Sequence, residues 1–218
     1  MPREPVEAAG AAEAIVRCCR RLWEAGLLAG VDGNVSVRLS EDAVLVTPRG
    51  LPKADLEVAD LVQVGLDGTP LHGRRSASTE LDLHLRVYRR RRDVGAVVHA
   101  HPPTATGFAL AGEALPGDLL PESILLLGEV PVVAYATPGT PAVGDLAERY
   151  LDGHEALLLA NHGAVTWGRD LTQAQVRMES LEHVARIIVA ARAVGRVNRL
   201  NPEQIAALEQ LRGRPGNG

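Results

Sequence analysis

The sequence predicts an α/β chain with a mainly antiparallel central sheet and helices on the faces of that sheet. Three observations carry this. Apolar residues recur at three- and four-residue intervals at both ends of the chain, the period changes to two in the middle, and the strand-like runs follow one another in hairpin order. A doubly wound parallel sheet needs a helix between each pair of strands, so a nucleotide-binding arrangement is excluded. "GLDGTPLHG" also lacks the spacing and context of a phosphate fingerprint.

Taken in order, Pro5 to Leu28 predicts an amphipathic helix through Ile15, Val16, Cys19, Leu22 and Trp23, ended by "AGLLAG". "NVSVRLS" and "AVLVTPRG" read as successive strands joined by a charged turn, and "DLVQVGLDGTPL" as another pair turning at Asp67-Gly68. Helix returns at "STELDLHLRVYRR", with Leu81, Leu85 and Tyr88 in one stripe and Ser78 or Thr79 as its cap. "VGAVVHAH" is a strand, Pro102-Pro103 opens a helix through about Leu110, and "VPVVAYATPGT" is a strand entering a loop. "ALLLANHGAVTWG" is two short strands turning at Asn161 to Gly163, followed by a long helix over "DLTQAQVRMESLEHVARIIVAARAVG". A last helix begins after Asn201-Pro202 and frays into a tail at 213–218. The whole of 1–218 is expected to form one domain, since no linker, repeat or low-complexity stretch interrupts it.

Composition narrows the function. A chain of 218 residues, 46% hydrophobic, with a net charge of -4, has a core to bury and no basic footprint for nucleic acid. The run "YRRRRD" reads as a solvated helix end. No apolar run approaches the roughly 18 residues that cross a bilayer, and "MPREPVEAAGAAEAIV" lacks a secretory apolar region, so the cytoplasm is the expected compartment. Cys18 and Cys19 are adjacent in a helix and cannot pair there; packing is expected for one and partial exposure for the other.

Chemistry concentrates at "AVVHAHPP". Residues two apart on a strand leave on the same face, so His99 and His101 point at one thing. They are either structural or a metal pair. His162, in the turn of "LLLANHGAV" beside a glycine that permits close backbone approach, is a third candidate ligand, and Glu80 at a helix start is a fourth. Three imidazoles and a carboxylate without thiolate fit a divalent transition ion, zinc first, with manganese, cobalt or iron also admissible.

Those residues lie among motifs that carry a resemblance. "GNVSVR", "TPRG", "SASTE", "HAHPP", "YATPGT" and "NHGAV", in that order over roughly residues 10 to 195, resemble the class II aldolase/adducin family, which includes L-fuculose-phosphate aldolase and related sugar-phosphate aldolases. The resemblance implies a three-layer α/β/α fold, a homotetramer, and a zinc-type site near subunit interfaces. It makes His99, His101 and His162 the metal histidines, and Glu80 a metal ligand that leaves when substrate arrives and becomes the acid/base. It also places Asn34, Gly50, Ser78 and Thr79 in a phosphate pocket, although turns and a helix cap would explain the same four residues.

The reaction so implied is cleavage of a ketose 1-phosphate between carbons 3 and 4 into dihydroxyacetone phosphate and an aldehyde. A cation stabilises the developing negative charge, and Glu80 returns a proton to carbon 3. A second group must take the carbon-4 hydroxyl proton. Fuculose-phosphate aldolases use a tyrosine there, but "GDLLPESILLLGEVP" has none and offers Glu122, which resembles the glutamate of rhamnulose-phosphate aldolases and methylthioribulose-phosphate dehydratases. Its apolar flanks predict partial desolvation; a helix-start glutamate after Pro121 is the other reading. Arg49 replaces a small residue of the family's phosphate loop and would meet phosphate, a carboxylate or solvent. Dehydratases and decarboxylases of the family share the metal set with the aldolases, whereas its ribulose-phosphate 4-epimerases carry aspartate where Glu80 stands, which weakens an epimerase reading. An adducin-like scaffold would have lost the ligands, and here all four positions are filled. His72, His84, His154 and His183 are expected at the surface or in packing, and Trp23 and Trp167 in core or interface.

Overall fold

The computed structural model describes residues 7–212, so the expected helix start at Pro5 and the tail at 213–218 lie outside the described residues. Eight strands form one sheet: β1 (Asn34–Arg38), β2 (Ala43–Val46), β3 (Val62–Gly65), β4 (Pro70–His72), β5 (Ala96–Ala100), β6 (Val132–Val133), β7 (Ala156–Leu159) and β8 (Gly163–Gly168). Their order is β4-β3-β2-β1-β5-β8-β7-β6, antiparallel throughout except for the short parallel edge pair β6 and β7. The helices are α1 (Ala8–Glu24), α2 (Leu81–Arg90), α3 (Pro103–Ala111), α4 (Pro121–Leu126), α5 (Pro141–Ala147), α6 (Leu171–Val194) and α7 (Pro202–Arg212).

Strand alternation divides the core into two layers. Val35, Val37, Ala96, Val98 and Ala100 pack with the buried residues of α1, α3 and α6 on one face; Val44, Val46, Val97, Val165 and Trp167 pack with α2 and α5 on the other. The expected three layers are therefore present. β5 lies between β1 and β8, which places His99 beside Asn34 on one side and Val165 on the other.

Several local expectations shift. α1 ends at Glu24 rather than near Leu28, and β6 has only two residues, because "YATPGT" leaves the sheet before the α5 start at Pro141. Glu80, not Ser78 or Thr79, is the N-cap of α2; the Ser78 hydroxyl instead accepts the Glu80 N–H at 3.3 Å. Both cysteines are buried, so the partial exposure expected of one does not occur. α1 turns Cys18 and Cys19 together into the layer it shares with α6. Trp167 is fully buried, while Trp23 is 47% exposed.

Candidate active site

The strand period does what the sequence requires of it. His99 is the penultimate residue of β5, His101 follows just beyond the strand end, and the β7–β8 turn, with Asn161 at φ 56°, brings His162 against them. The three rings are mutually edge-on with centroids 4.8–5.0 Å apart, and one nitrogen from each lies within 4.8 Å of the others. Gly163 is needed here, because a Cβ on it would come within 2.5 Å of the His101 ring and 2.6 Å of the Ala100 carbonyl.

Glu80 completes the group from the start of α2. Its Oε2 is 3.2 Å from His99 Nε2 and its Oε1 is 3.1 Å from His162 Nε2. The Asn34 amide donates to Oε2 at 2.9 Å, leaving the buried Asn34 Oδ1 without a protein partner. Burial opposes the charge on Glu80, but the charge of His99 and the hydrogen bonds from His162 and His99 prevail and hold its carboxyl well below the usual range. The His99 Nδ1 donates to the Ala164 carbonyl at 2.9 Å, which turns Nε2 toward the centre of the cluster, where Glu80 meets it. Burial lowers His101 to about 4, reinforced by the charges of His99 and His162, so its ring is neutral and ligand-competent at physiological pH. A donor set of imidazole nitrogens and one ionised carboxylate, without thiolate, fits a divalent transition ion.

A cavity of about 460 Å³ opens over these groups. It is lined by all four residues expected at an anion site, Asn34, Gly50, Ser78 and Thr79, and also by Asp32, Arg49, Lys53, Glu80, His101 and His162. Arg49 lies at an exposed position on it. Lys53, which sequence reasoning missed, is 2% exposed and donates its ammonium to the carbonyls of Val31 and Leu51, each at 3.1 Å. A lysine in the loop "GLPKADL" has no periodicity to mark it as buried; α1 packing over that loop is what encloses it. Glu122 does not line the cavity. It is exposed in the first turn of α4, whose Ser123 and Ile124 face inward, so the expected desolvation is absent from this chain.

Behind the cavity, β1 and α2 share a polar ladder. Asn34, Ser36 and Arg38 alternate along the strand and meet Glu80, His84 and Tyr88 at four-residue spacing on the helix side. Ser36 Oγ is 2.7 Å from His84 Nδ1 and 2.8 Å from the Tyr88 hydroxyl. Burial, with the charge of His99, lowers His84 to about 3. The unfolded chain takes up a proton on this ring near pH 6.5 that the folded chain refuses, so stability is full above about 6.5 and falls as pH drops toward 3. His101 acts in the same sense down to about 4. His99, which Glu80 raises against the effect of burial, is protonated in both states below about 6.5 and adds no slope there. The metal-free protein is therefore expected to lose about 2 kcal/mol to His84 between pH 6.5 and 5, with His101 adding a loss in the same direction. Denaturant midpoints at the two pH values check this, and equal midpoints contradict it.

Fold and site together define a class: an antiparallel α/β chain with a three-histidine cluster at its strand ends and a polar cavity beside a helix start. The model of the Class II Aldolase and Adducin N-terminal domain matches residues 13–189, and the chain belongs to that family. A 5-deoxy-D-ribulose 1-phosphate aldolase from Bacillus thuringiensis serovar kurstaki is 33% identical over 198 residues, 90% of this chain and 92% of the relative. A 3-oxo-tetronate 4-phosphate decarboxylase from Haemophilus influenzae is 34% identical over 180 residues, 80% of this chain and 85% of the relative. A solved L-fuculose 1-phosphate aldolase superposes with a TM-score of 0.88 at 29% identity, covering 95% of this chain and 97% of that one.

Proposed function

We propose that this chain is a metal-dependent carbon–carbon lyase that cleaves a ketose 1-phosphate of fuculose, ribulose or 5-deoxyribulose type to dihydroxyacetone phosphate and an aldehyde. The observation that carries the reading is Glu80 set between two histidines of a three-histidine cluster, in a cavity lined by backbone, hydroxyl, amide and cationic groups. His99, His101, His162 and Glu80 would hold the ion, zinc first, then manganese, cobalt or iron. When bound, the ion supplies Lewis-acid stabilisation of the negative charge that develops on the substrate carbonyl oxygen.

The chain's own groups do the rest. Ser78 and Thr79 beside the start of α2, Gly50, and the cations Arg49 and Lys53 receive the phosphate. As the carbon 3–carbon 4 bond breaks, its electron pair passes toward the carbonyl and the aldehyde departs. Glu80, turned away from the histidines that hold it ionised, takes up a proton from water and delivers it to carbon 3. That turn releases the Asn34 amide, which Glu80 engages in this structure, for the phosphate. The carbon-4 hydroxyl proton needs a second group. Glu122 stands outside its own chain's cavity, so in this reading a neighbouring copy of the homotetramer presents it. The enzyme works in the cytoplasm.

Arg49 favours a second reading, the decarboxylation of a phosphorylated 3-oxo sugar acid, in which its guanidinium meets the substrate carboxylate. A 3-oxo-tetronate 4-phosphate that loses carbon dioxide also yields dihydroxyacetone phosphate, so the co-product decides. Zinc-loaded protein is expected to release dihydroxyacetone phosphate and an aldehyde from a panel of fuculose, rhamnulose, ribulose, 5-deoxyribulose and methylthioribulose 1-phosphates. Release of carbon dioxide from the oxo acid, with every ketose 1-phosphate left intact, would overturn the aldolase reading in favour of the second.

A further inference from the structure

We propose that Asp32 is a positioning residue for His101, fixing that ring so that its Nε2 faces the ion. The inference rests on the reading that the three histidines and Glu80 hold a divalent cation. A metal-binding imidazole needs its second nitrogen held by an acceptor, which sets tautomer and ring angle and strengthens the donor nitrogen. For His99 the acceptor is the buried Ala164 carbonyl. His101 has its Nε2 turned inward, 3.3 Å from His99 Nε2, and its opposite nitrogen, Nδ1, faces Asp32 Oδ2 at 3.4 Å. The carboxylate therefore stands behind the ring, on the side away from the ion, where it can orient His101 but not ligate in its place.

The loop carrying Asp32 is built to hold this position. The Lys53 ammonium, on a side chain that is itself buried, clamps the carbonyl of Val31, the residue before Asp32. The Asp32 N–H donates to the Ala29 carbonyl at 3.0 Å. Gly33 follows at φ +67°, and a Cβ there would come within 2.6 Å of the His99 carbonyl, so the loop lies directly against the metal strand. On the other side the His101 N–H donates to the Leu27 carbonyl at 3.1 Å, tying the two segments a second time. Asp32 is 46% exposed and lines the cavity, which distinguishes this support from the sealed one behind His99.

The test is zinc affinity by competition with a chromophoric chelator for wild type, Asp32→Ala, Asp32→Asn and His101→Ala. Cobalt spectra are recorded on the same proteins, and circular dichroism checks the fold. Asp32→Ala is expected to bind zinc about 10- to 100-fold more weakly. Asp32→Asn, which keeps an acceptor oxygen without the charge, should lose less, and both should keep the cobalt band intensity of an intact ligand set. An Asp32→Ala affinity within twofold of wild type, beside a His101→Ala protein that has lost the metal, overturns the role of Asp32 and leaves the metal centre standing. Wild type that retains no zinc overturns the metal reading and this inference with it.

Discussion

Glu80→Gln is expected to lower turnover by about 10²- to 10⁴-fold, the contribution of a positioned general acid/base. Glutamine has the same length and can still meet the Asn34 amide through one oxygen, so the loss falls on proton transfer rather than on the fold. The carboxylate is held ionised between His99 and His162 in the resting site, and the amide has neither the charge nor a proton to deliver. Metal content measured beside turnover separates the roles. A variant that keeps zinc through three histidines and fails to turn over supports the acid/base assignment, and one that turns over at the wild-type rate contradicts it.

The second large effect is on stability. Glu182→Ala is expected to cost about 3 kcal/mol, because a buried carboxylate that satisfies several donors would be removed without a substitute. Glu182 is 3% exposed on α6, and its oxygens accept the N–H groups of Thr104 and Ala105, each at 2.9 Å, and the Arg186 guanidinium at 2.7 Å. Thr104 and Ala105 lie in the first turn of α3, where no carbonyl of the helix can reach them and where the dipole favours a negative charge. That turn begins two residues after His101, so the same contact seats the chain leaving β5. Urea midpoints at fixed protein concentration check the value, and a shift worth less than about 1 kcal/mol would contradict this account of how α3 is capped.

The parts of the fold that obey a simple period were legible. β1, β5 and β8 alternate, α6 recurs at three and four residues, and the two histidines of "HAH" had to share a face, so the three-histidine cluster could be read from residues up to 63 positions apart. What was not legible depends on how elements land on one another. Lys53 and Asp32 sit in loops, and each becomes part of the site only because α1 and the end of β5 close over them. The desolvation expected of Glu122 is absent because its apolar neighbours in sequence became the opposite face of a short helix, and α5 went unseen because seven residues with a glycine carry too little pattern. Gly144 there packs against Arg86, a contact that no local signal announces. The ladder of Ser36, His84 and Tyr88 shows the same limit, since two interlocking periods make a network that neither segment reveals alone.

The most direct test of the central claim is a titration of chelator-stripped protein with zinc, following dihydroxyacetone phosphate release from the preferred ketose 1-phosphate. Activity absent in the stripped protein and rising linearly to a break at one zinc per chain is the predicted result. Full activity in the stripped protein, or a rise that ignores the loss of His99 in a His99→Ala control, would contradict it.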